Sequence, residues 1–202
     1  SDWPEHVHVT GYFFLDTNAD WQPSAELKAF LEAGEPPVYF GFGSMAGRNP
    51  ERLAKLILEA LARSGQRGLL LTGWGGLRTE SVPDNVFVLD AAPHEWLFPR
   101  MAVVVHHGGA GTTAEGVRAG VPSIIVPFVL DQPFWGARVK ALGLGPEPIP
   151  QKQLTADRLA HVISTAVSDE NMRQRAHSYG ARIRAENGLG NAVKIVRHYL
   201  GA

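Results

Sequence analysis

The chain has 202 residues, a formal net charge of −1, and 45% hydrophobic against 19% charged residues, a balance typical of one globular domain. The near-neutral net charge does not suggest a basic surface of the kind that binds nucleic acid. The absence of cysteine excludes a disulfide framework and a thiolate metal site. Because there is neither a signal-peptide pattern nor an apolar stretch of membrane-spanning length, we expect a cytoplasmic protein.

Short apolar runs alternate with stretches of helical periodicity along the chain. This alternation is typical of an α/β fold, in which a Rossmann-like parallel sheet is flanked by helices. The predicted strands are Val38–Phe42, Gly68–Thr72, Val86–Leu89, Ala102–His106 and Ser123–Val126.

Three helices carry clear signals. Asn49-Pro50 supplies a cap and a first helical residue for one, and Thr155 opens another. Their apolar residues recur at the spacing of one helix face. These residues are Leu53, Leu56, Ile57, Ala60 and Leu61 in the first helix, Leu159, Val162, Ile163, Ala166 and Val167 in the second, and Val193, Val196, Tyr199 and Leu200 in a final one.

Polar and glycine-containing segments follow each predicted strand. Since ligands of an open parallel sheet bind beyond the carboxyl ends of its strands, these segments predict one binding cleft. They are Gly43-Ser44, Gly73-Trp74, Ala91–His94, His107–Thr112 and Pro127–Gln132.

The turn from His107 to Thr112 is the strongest of these segments. Its glycines allow a tight turn into a new helix, whose free N–H groups and dipole favour an anion such as a diphosphate. The alternative is a tight strand–helix connection with a hydrogen-bonded histidine. The neighbouring His106 is expected to point the opposite way and to be a satisfied core histidine.

Two other segments after predicted strands are candidate ligand contacts. The stretch from Gly41 to Gly47 resembles a dinucleotide fingerprint, but its last spacing is wrong, which disfavours a Rossmann dehydrogenase. Ser44 in that loop is a candidate phosphate contact, with an exposed serine in a turn as the alternative. Asp131-Gln132 offers acceptors and donors suited to a hexose, and Asp131 could cap a helix that starts at Gln132, either instead or in addition.

This ordered set resembles the donor-binding motif of the GT-B glycosyltransferases of family 1, and within it the sterol 3-beta-glucosyltransferases and their bacterial relatives. The likeness extends from about Val9–Tyr12 to the last helix. The segments that carry it are Val38–Met45, Pro93–Arg100, the histidine–glycine turn and Pro127–Trp135.

The resemblance implies a role for each candidate residue. Glu115 would bind the ribose, although an acid one turn into a helix is also a common structural choice. The diphosphate would be held by Ser44, His107, Gly109, Gly111 and Thr112, the base by Trp74, Ala92 and His94, and the sugar by Asp131 and Gln132.

The identity of the base is left open by the sequence. Many plant members of the family carry a stacking tryptophan near Ala91 and a glutamine near His94, and this chain has neither. Backbone groups of Ala92 and the His94 ring would take their place, with Trp74 as a possible stacking surface. UDP is favoured, with dTDP and GDP as alternatives.

The resemblance also implies a function for the longer protein. Residues 1–20 would be an interdomain linker, and residues 21–202 the donor-binding C-terminal half of a GT-B fold whose N-terminal acceptor half is absent. Such an enzyme transfers a hexose, here expected from UDP-glucose, to a lipophilic hydroxyl acceptor such as a sterol, with inversion. A peripheral membrane contact would belong to the missing half.

No catalytic residue is assigned in this chain, because the general base of relatives lies on the absent half. We expect no cofactor and no metal, since the sequence contains no Asp-x-Asp motif. The alternatives are a non-catalytic nucleotide-sugar-binding module and a nucleotide-sugar epimerase of the same fold.

Overall fold

The computed structural model describes residues 3–15, 21–43, 49–72 and 81–201. Two of the candidate residues, Ser44 and Trp74, lie outside these ranges, so their predicted phosphate and base contacts stay predictions.

Five strands form one parallel sheet, which confirms the predicted fold class. Each predicted strand is present, and its observed ends agree to within one residue. The strands are β1 (Val38–Gly41), β2 (Gly68–Leu71), β3 (Val86–Leu89), β4 (Val103–His106) and β5 (Ser123–Ile125).

The strand order is β3-β2-β1-β4-β5, so the chain winds outward in both directions from β1 and β4. These two central strands pair in register, with Gly41 beside His106. A crevice opens beyond the carboxyl ends of strands where the winding direction reverses, and this is where ligands of open α/β sheets bind. The carboxyl ends of β1 and β4, at Gly41 and His106, therefore meet at the favoured position.

Eight helices surround the sheet in the described part of the chain, and none of them is long and apolar enough to cross a bilayer. Their bounds are α1 (Ala25–Glu32), α2 (Pro50–Ser64), α3 (His94–Leu97), α4 (Ala110–Ala119), α5 (Gln132–Ala141), α6 (Ala156–Ser168), α7 (Glu170–Ala185) and α8 (Gly188–Leu200).

The sequence signals at α2 are confirmed in atomic detail. The side-chain oxygen of Asn49 accepts a hydrogen bond from the Arg52 amide at 2.9 Å, and Pro50 occupies the first helical position. Gly65 ends the helix with a φ of +65°, a left-handed conformation that costs glycine little. Helix α6 begins after Thr155, whose hydroxyl accepts from the Arg158 amide at 3.2 Å.

Apolar side chains cover both faces of the sheet. One face packs against α2 and α6, with Phe40 and Val105 among its buried residues. A second cluster lies on the opposite face and includes residues of α1 and α3. Its largest fully buried members are Tyr39, Phe98, Leu27, Leu69 and Leu97.

The final helix differs from the other predicted helices because its apolar residues are not buried. Val196 is 55% exposed and Leu200 is 75% exposed in α8. The segment 3–15 has no helix or strand and lies against α8, where the Asn191 side-chain amide donates to the Thr10 carbonyl at 3.2 Å. Leu15 in this segment is 91% exposed.

Candidate functional site

Helix α4 begins directly after the glycine turn, as predicted. Gly109 is its cap residue, and the first hydrogen bond of the helix runs from the Thr113 amide to the Gly109 carbonyl at 2.9 Å. The preceding amides of Ala110, Gly111 and Thr112 belong to the first turn, whose N–H groups have no partner within a helix. They form an electropositive terminus at the carboxyl edge of the sheet.

The glycine turn is shaped by close packing. Gly108 has a φ of +91°, and a Cβ atom there would lie 2.6 Å from Cγ2 of Ile125. A Cβ atom on Gly109 would lie 2.6 Å from Nε2 of His107, because the imidazole ring folds over this residue. Gly111 is exposed, with no atom within 4 Å of a Cβ position, so the helix terminus is open toward the cleft.

His107 is half-buried with its Nε2 edge at the turn. Its Nδ1 atom is buried and has no hydrogen-bond partner among the described residues. Burial lowers the pKa of His107, and the Asp131 carboxylate partly offsets this by raising it. The ring is therefore neutral near pH 7 and can donate one hydrogen bond to an anion bound at the turn.

The predicted role of His106 as a satisfied core histidine is only half right. The ring is fully buried, and its Nδ1 atom accepts a hydrogen bond from the Gly108 amide at 3.1 Å. Its Nε2 atom is buried without a partner in the described part of the chain. Burial, followed by the neighbouring His107 and His94, lowers the pKa of His106 to about 3.

Glu115 lies one turn into α4 and is half-buried. Arg118 lies 3.9 Å from its carboxylate and 3.8 Å from that of Glu95. Burial raises the pKa of Glu115, Arg118 opposes this rise, and Glu95 adds to it. An arginine thus already faces the carboxylate for which a ribose contact is predicted.

His94 is held by aromatic packing at the start of α3. Its ring stacks on Phe98 with centroids 4.3 Å apart and planes 17° apart, and its Nε2 atom lies 3.5 Å from the Tyr39 hydroxyl. Burial lowers the pKa of His94 to about 4. Ala92, the other described residue predicted near the base, is half-buried at the margin of the second cluster.

The loop after β5 is closed by Gln132. Its buried side-chain oxygen accepts from the Phe128 amide at 2.7 Å and from the Val129 amide at 3.1 Å. Because this oxygen already accepts two hydrogen bonds from loop amides, the side-chain amide nitrogen is the group of Gln132 that is available to bind a sugar. This structural use of Gln132 could not be read from its position in the sequence.

Asp131 is the N-cap residue of α5, as the capping alternative predicts, but its side chain makes no capping hydrogen bond. Its Oδ2 atom instead accepts a hydrogen bond from Nε1 of Trp135 at 2.8 Å. The Asp131 carboxylate acts to raise the pKa of both His107 and Tyr12, and the Cβ atom of Gln132 lies 3.5 Å from the position of a Cβ atom on Gly108. The loop that carries Asp131 and Gln132 therefore lies beside the glycine turn.

Tyr12 is a site residue that sequence reasoning missed. Its hydroxyl donates to the carbonyl of Ala110, the first residue of α4, at 3.1 Å. Burial raises the pKa of Tyr12, and Asp131 adds to the rise, so the phenol stays neutral. No local pattern marks this residue, since its contact joins positions 98 residues apart.

Comparison with known proteins agrees with this architecture. A family model described as the erythromycin biosynthesis protein CIII-like C-terminal domain matches residues 74–191. Among solved structures, the glycosyltransferase of kitacinnamycin superposes with a TM-score of 0.74 at 24% identity, over 93% of this chain and 47% of its own. The calicheamicin glycosyltransferase gives a TM-score of 0.73 at 24% identity, over 91% of this chain and 46% of its own.

Curated relatives show stronger sequence similarity. A sterol 3-beta-glucosyltransferase of Arabidopsis thaliana is 46% identical over 98% of this chain and 31% of its own length. The O-mycaminosyltylonolide 6-deoxyallosyltransferase of Streptomyces fradiae is 42% identical over 98% of this chain and 46% of its own. The chain thus spans between about a third and a half of these relatives. It belongs to the family of erythromycin biosynthesis protein CIII-like C-terminal domains of the GT-B glycosyltransferases.

Proposed function

We propose that this chain is the nucleotide-sugar-binding half of an inverting, metal-independent glycosyltransferase. The observation that carries the proposal is the open N-terminus of α4, placed at the reversal point of the sheet with His107 folded over its cap residue. The donor is UDP-glucose, and the acceptor is a lipophilic hydroxyl compound such as a sterol. Similarity to the Arabidopsis sterol 3-beta-glucosyltransferase supports both assignments.

The chemistry follows from where charge develops during transfer. When the bond between the sugar and the diphosphate breaks, negative charge grows on the leaving diphosphate. The α4 amides, the His107 ring and the Thr112 hydroxyl would stabilise that charge through fixed dipoles that need no reorganisation. Glu115 would hold the ribose, Ala92 and His94 the base, and Asp131 and Gln132 the transferred sugar.

The acceptor hydroxyl must lose a proton as the sugar is transferred, and we assign that base to the N-terminal half of the full protein. The exposed apolar residues of α8 and of the segment 3–15 support docking of such a half on this side of the molecule. Residues 1–20 would then act as the interdomain linker, and residues 21–202 as the donor domain.

Reconstitution of transfer tests this division of labour. The isolated chain, incubated with UDP-glucose and a sterol, is expected to form no steryl glucoside. Fusion to the N-terminal half of the Arabidopsis relative, which supplies the base, should produce the glucoside. Glucoside formation by the isolated chain, with contaminating enzyme excluded by a mock purification, would require a base within these 202 residues and would overturn the assignment.

Asp131→Asn tests sugar recognition. The substitution keeps the shape of the side chain and an acceptor for Trp135 Nε1, but it removes the charge proposed to accept hydroxyls of the hexose. UDP-glucose should bind about tenfold more weakly, because a hydrogen bond to a charged group is worth about 1.5 kcal/mol or more. Plain UDP should bind at least as tightly as it does to the wild type, because the substitution removes a negative charge near the proposed diphosphate site, and calorimetry measures both affinities.

A matched control for this experiment is Asp157→Asn, which changes an exposed aspartate on α6. It should alter neither affinity. Equal losses of UDP and UDP-glucose in Asp131→Asn would instead show that Asp131 supports the loop or the helix terminus and does not contact the sugar.

A further inference from the structure

His106 is the one histidine of this site whose ring is closed off completely from solvent. It ends β4, where it pairs in register with Gly41 of β1 and Ile125 of β5. The ring therefore sits at the centre of the sheet edge that carries the proposed donor site. A polar ring at such a position needs a specific partner, since a buried polar group without one is unfavourable.

The partner of His106 is the glycine turn itself. Its Nδ1 atom accepts from the Gly108 amide at 3.1 Å, so the single ring proton is on Nε2. That Nε2–H group is buried and has no partner in the described residues. A leucine of similar volume would fill the same space without leaving a polar atom unpaired. It could not, however, accept the hydrogen bond from the Gly108 amide, which requires a polar side chain.

The bond also restricts the turn. Gly108 has a φ of +91° and packs against Ile125 and the backbone of Gln132, which leaves its peptide little room to rotate. His106 holds the amide of the same residue through its Nδ1 atom. One residue further on, Gly109 becomes the cap of α4, and the His107 ring folds over it.

We propose that His106 is a positioning residue for the nucleotide diphosphate. By anchoring the Gly108 amide, it sets the direction in which the amides of Ala110, Gly111 and Thr112 and the ring of His107 face the ligand. His106 itself does not touch the diphosphate. This inference rests on the proposed function of the α4 terminus.

Two substitutions separate positioning from packing. His106→Leu fills the volume but removes the acceptor, whereas His106→Asn keeps an oxygen near the place of Nδ1. In His106→Leu, the Gly108 amide should lose its protection from hydrogen exchange, and UDP should bind about tenfold more weakly, the equivalent of one lost hydrogen bond. His106→Asn should restore the affinity to within about threefold of the wild type.

His161→Leu, at an exposed position on α6, is the control and should leave both measurements unchanged. UDP binding by His106→Leu at the wild-type affinity would overturn the positioning role, as would equal losses in the Leu and Asn variants. Failure of the wild type to bind UDP would instead overturn the proposed function, and the diphosphate role of His106 with it.

The tautomer gives an independent test if His106→Leu does not fold. Imidazole ¹⁵N chemical shifts of the wild-type protein should show a proton on Nε2 of His106 and an acceptor at Nδ1. Burial supports this expectation, because it keeps the pKa of the ring far below neutrality. A proton on Nδ1 would exclude the bond from Gly108 and contradict the proposal.

Discussion

Replacing Gly111 with aspartate is expected to lower the affinity for UDP at least a hundredfold while leaving the fold intact. The position is exposed and has open space where a side chain would start, so the substitution causes no clash. A carboxylate in the first turn should slightly stabilise the helix by about 0.3–1 kcal/mol. The same charge would lie where we propose that the diphosphate binds, and repulsion between unit charges about 4 Å apart near a protein surface reaches about 4 kcal/mol.

Gly111→Asn is the matched control, because it has the same shape without the charge. UDP should bind to it within about threefold of the wild-type affinity, since only a polar side chain is added at the mouth of the site. Calorimetric titration measures both affinities, and thermal unfolding confirms the folded state. Equal losses in the two variants would mean that Gly111 is needed for space, and similar affinities for all three proteins would remove the α4 terminus from the site.

Acidification is expected to destabilise the fold steeply between pH 6.5 and pH 4. Burial lowers the pKa of His94 to about 4 and that of His106 to about 3, whereas an unfolded histidine has a pKa of about 6.5. Between pH 6.5 and pH 4 these two histidines bind protons in the unfolded chain but stay neutral in the folded chain. The free energy of unfolding should therefore fall by about 2.7 kcal/mol per pH unit, or by about 4 kcal/mol from pH 7 to pH 5.

The contribution of one histidine can be isolated with His94→Phe, which keeps an aromatic ring against Phe98. Urea unfolding at pH 7, 6 and 5 should show a slope shallower by about 1.4 kcal/mol per pH unit in this variant. The comparison cancels the contributions of the carboxylates, which both proteins share. Parallel pH profiles for the two proteins would show that His94 is not held neutral in the folded chain.

The elements that could be predicted from the sequence are those decided by neighbours along the chain. Strands such as Val38–Gly41, which is buried along its whole length, can be predicted because both faces of a covered parallel sheet must be apolar. Helix α2 has a cap, a proline and an apolar stripe within its own residues. Helix α7 was not predicted, because its buried positions are few and include only small or flexible side chains: Met172, Ala176 and Gly180.

The arrangement of the site could be predicted only in part. The turn into α4 is a local feature, and its position at the reversal point follows from the strand order. The bond from Trp135 to Asp131 and the stacking of His94 on Phe98 each join residues four positions apart, but they depend on which rotamers the surrounding loops allow. The contact of Tyr12 with α4 depends on the path of a distant segment.

Titration calorimetry of the isolated chain with UDP, UDP-glucose, dTDP and GDP tests most directly whether the chain is a donor-binding domain. UDP and UDP-glucose should bind more tightly than dTDP or GDP, and their affinities should be the same with and without EDTA, because the proposed diphosphate contacts are the α4 backbone amides and His107. Absence of binding by all four ligands, or binding that is lost when EDTA is added, would contradict the account.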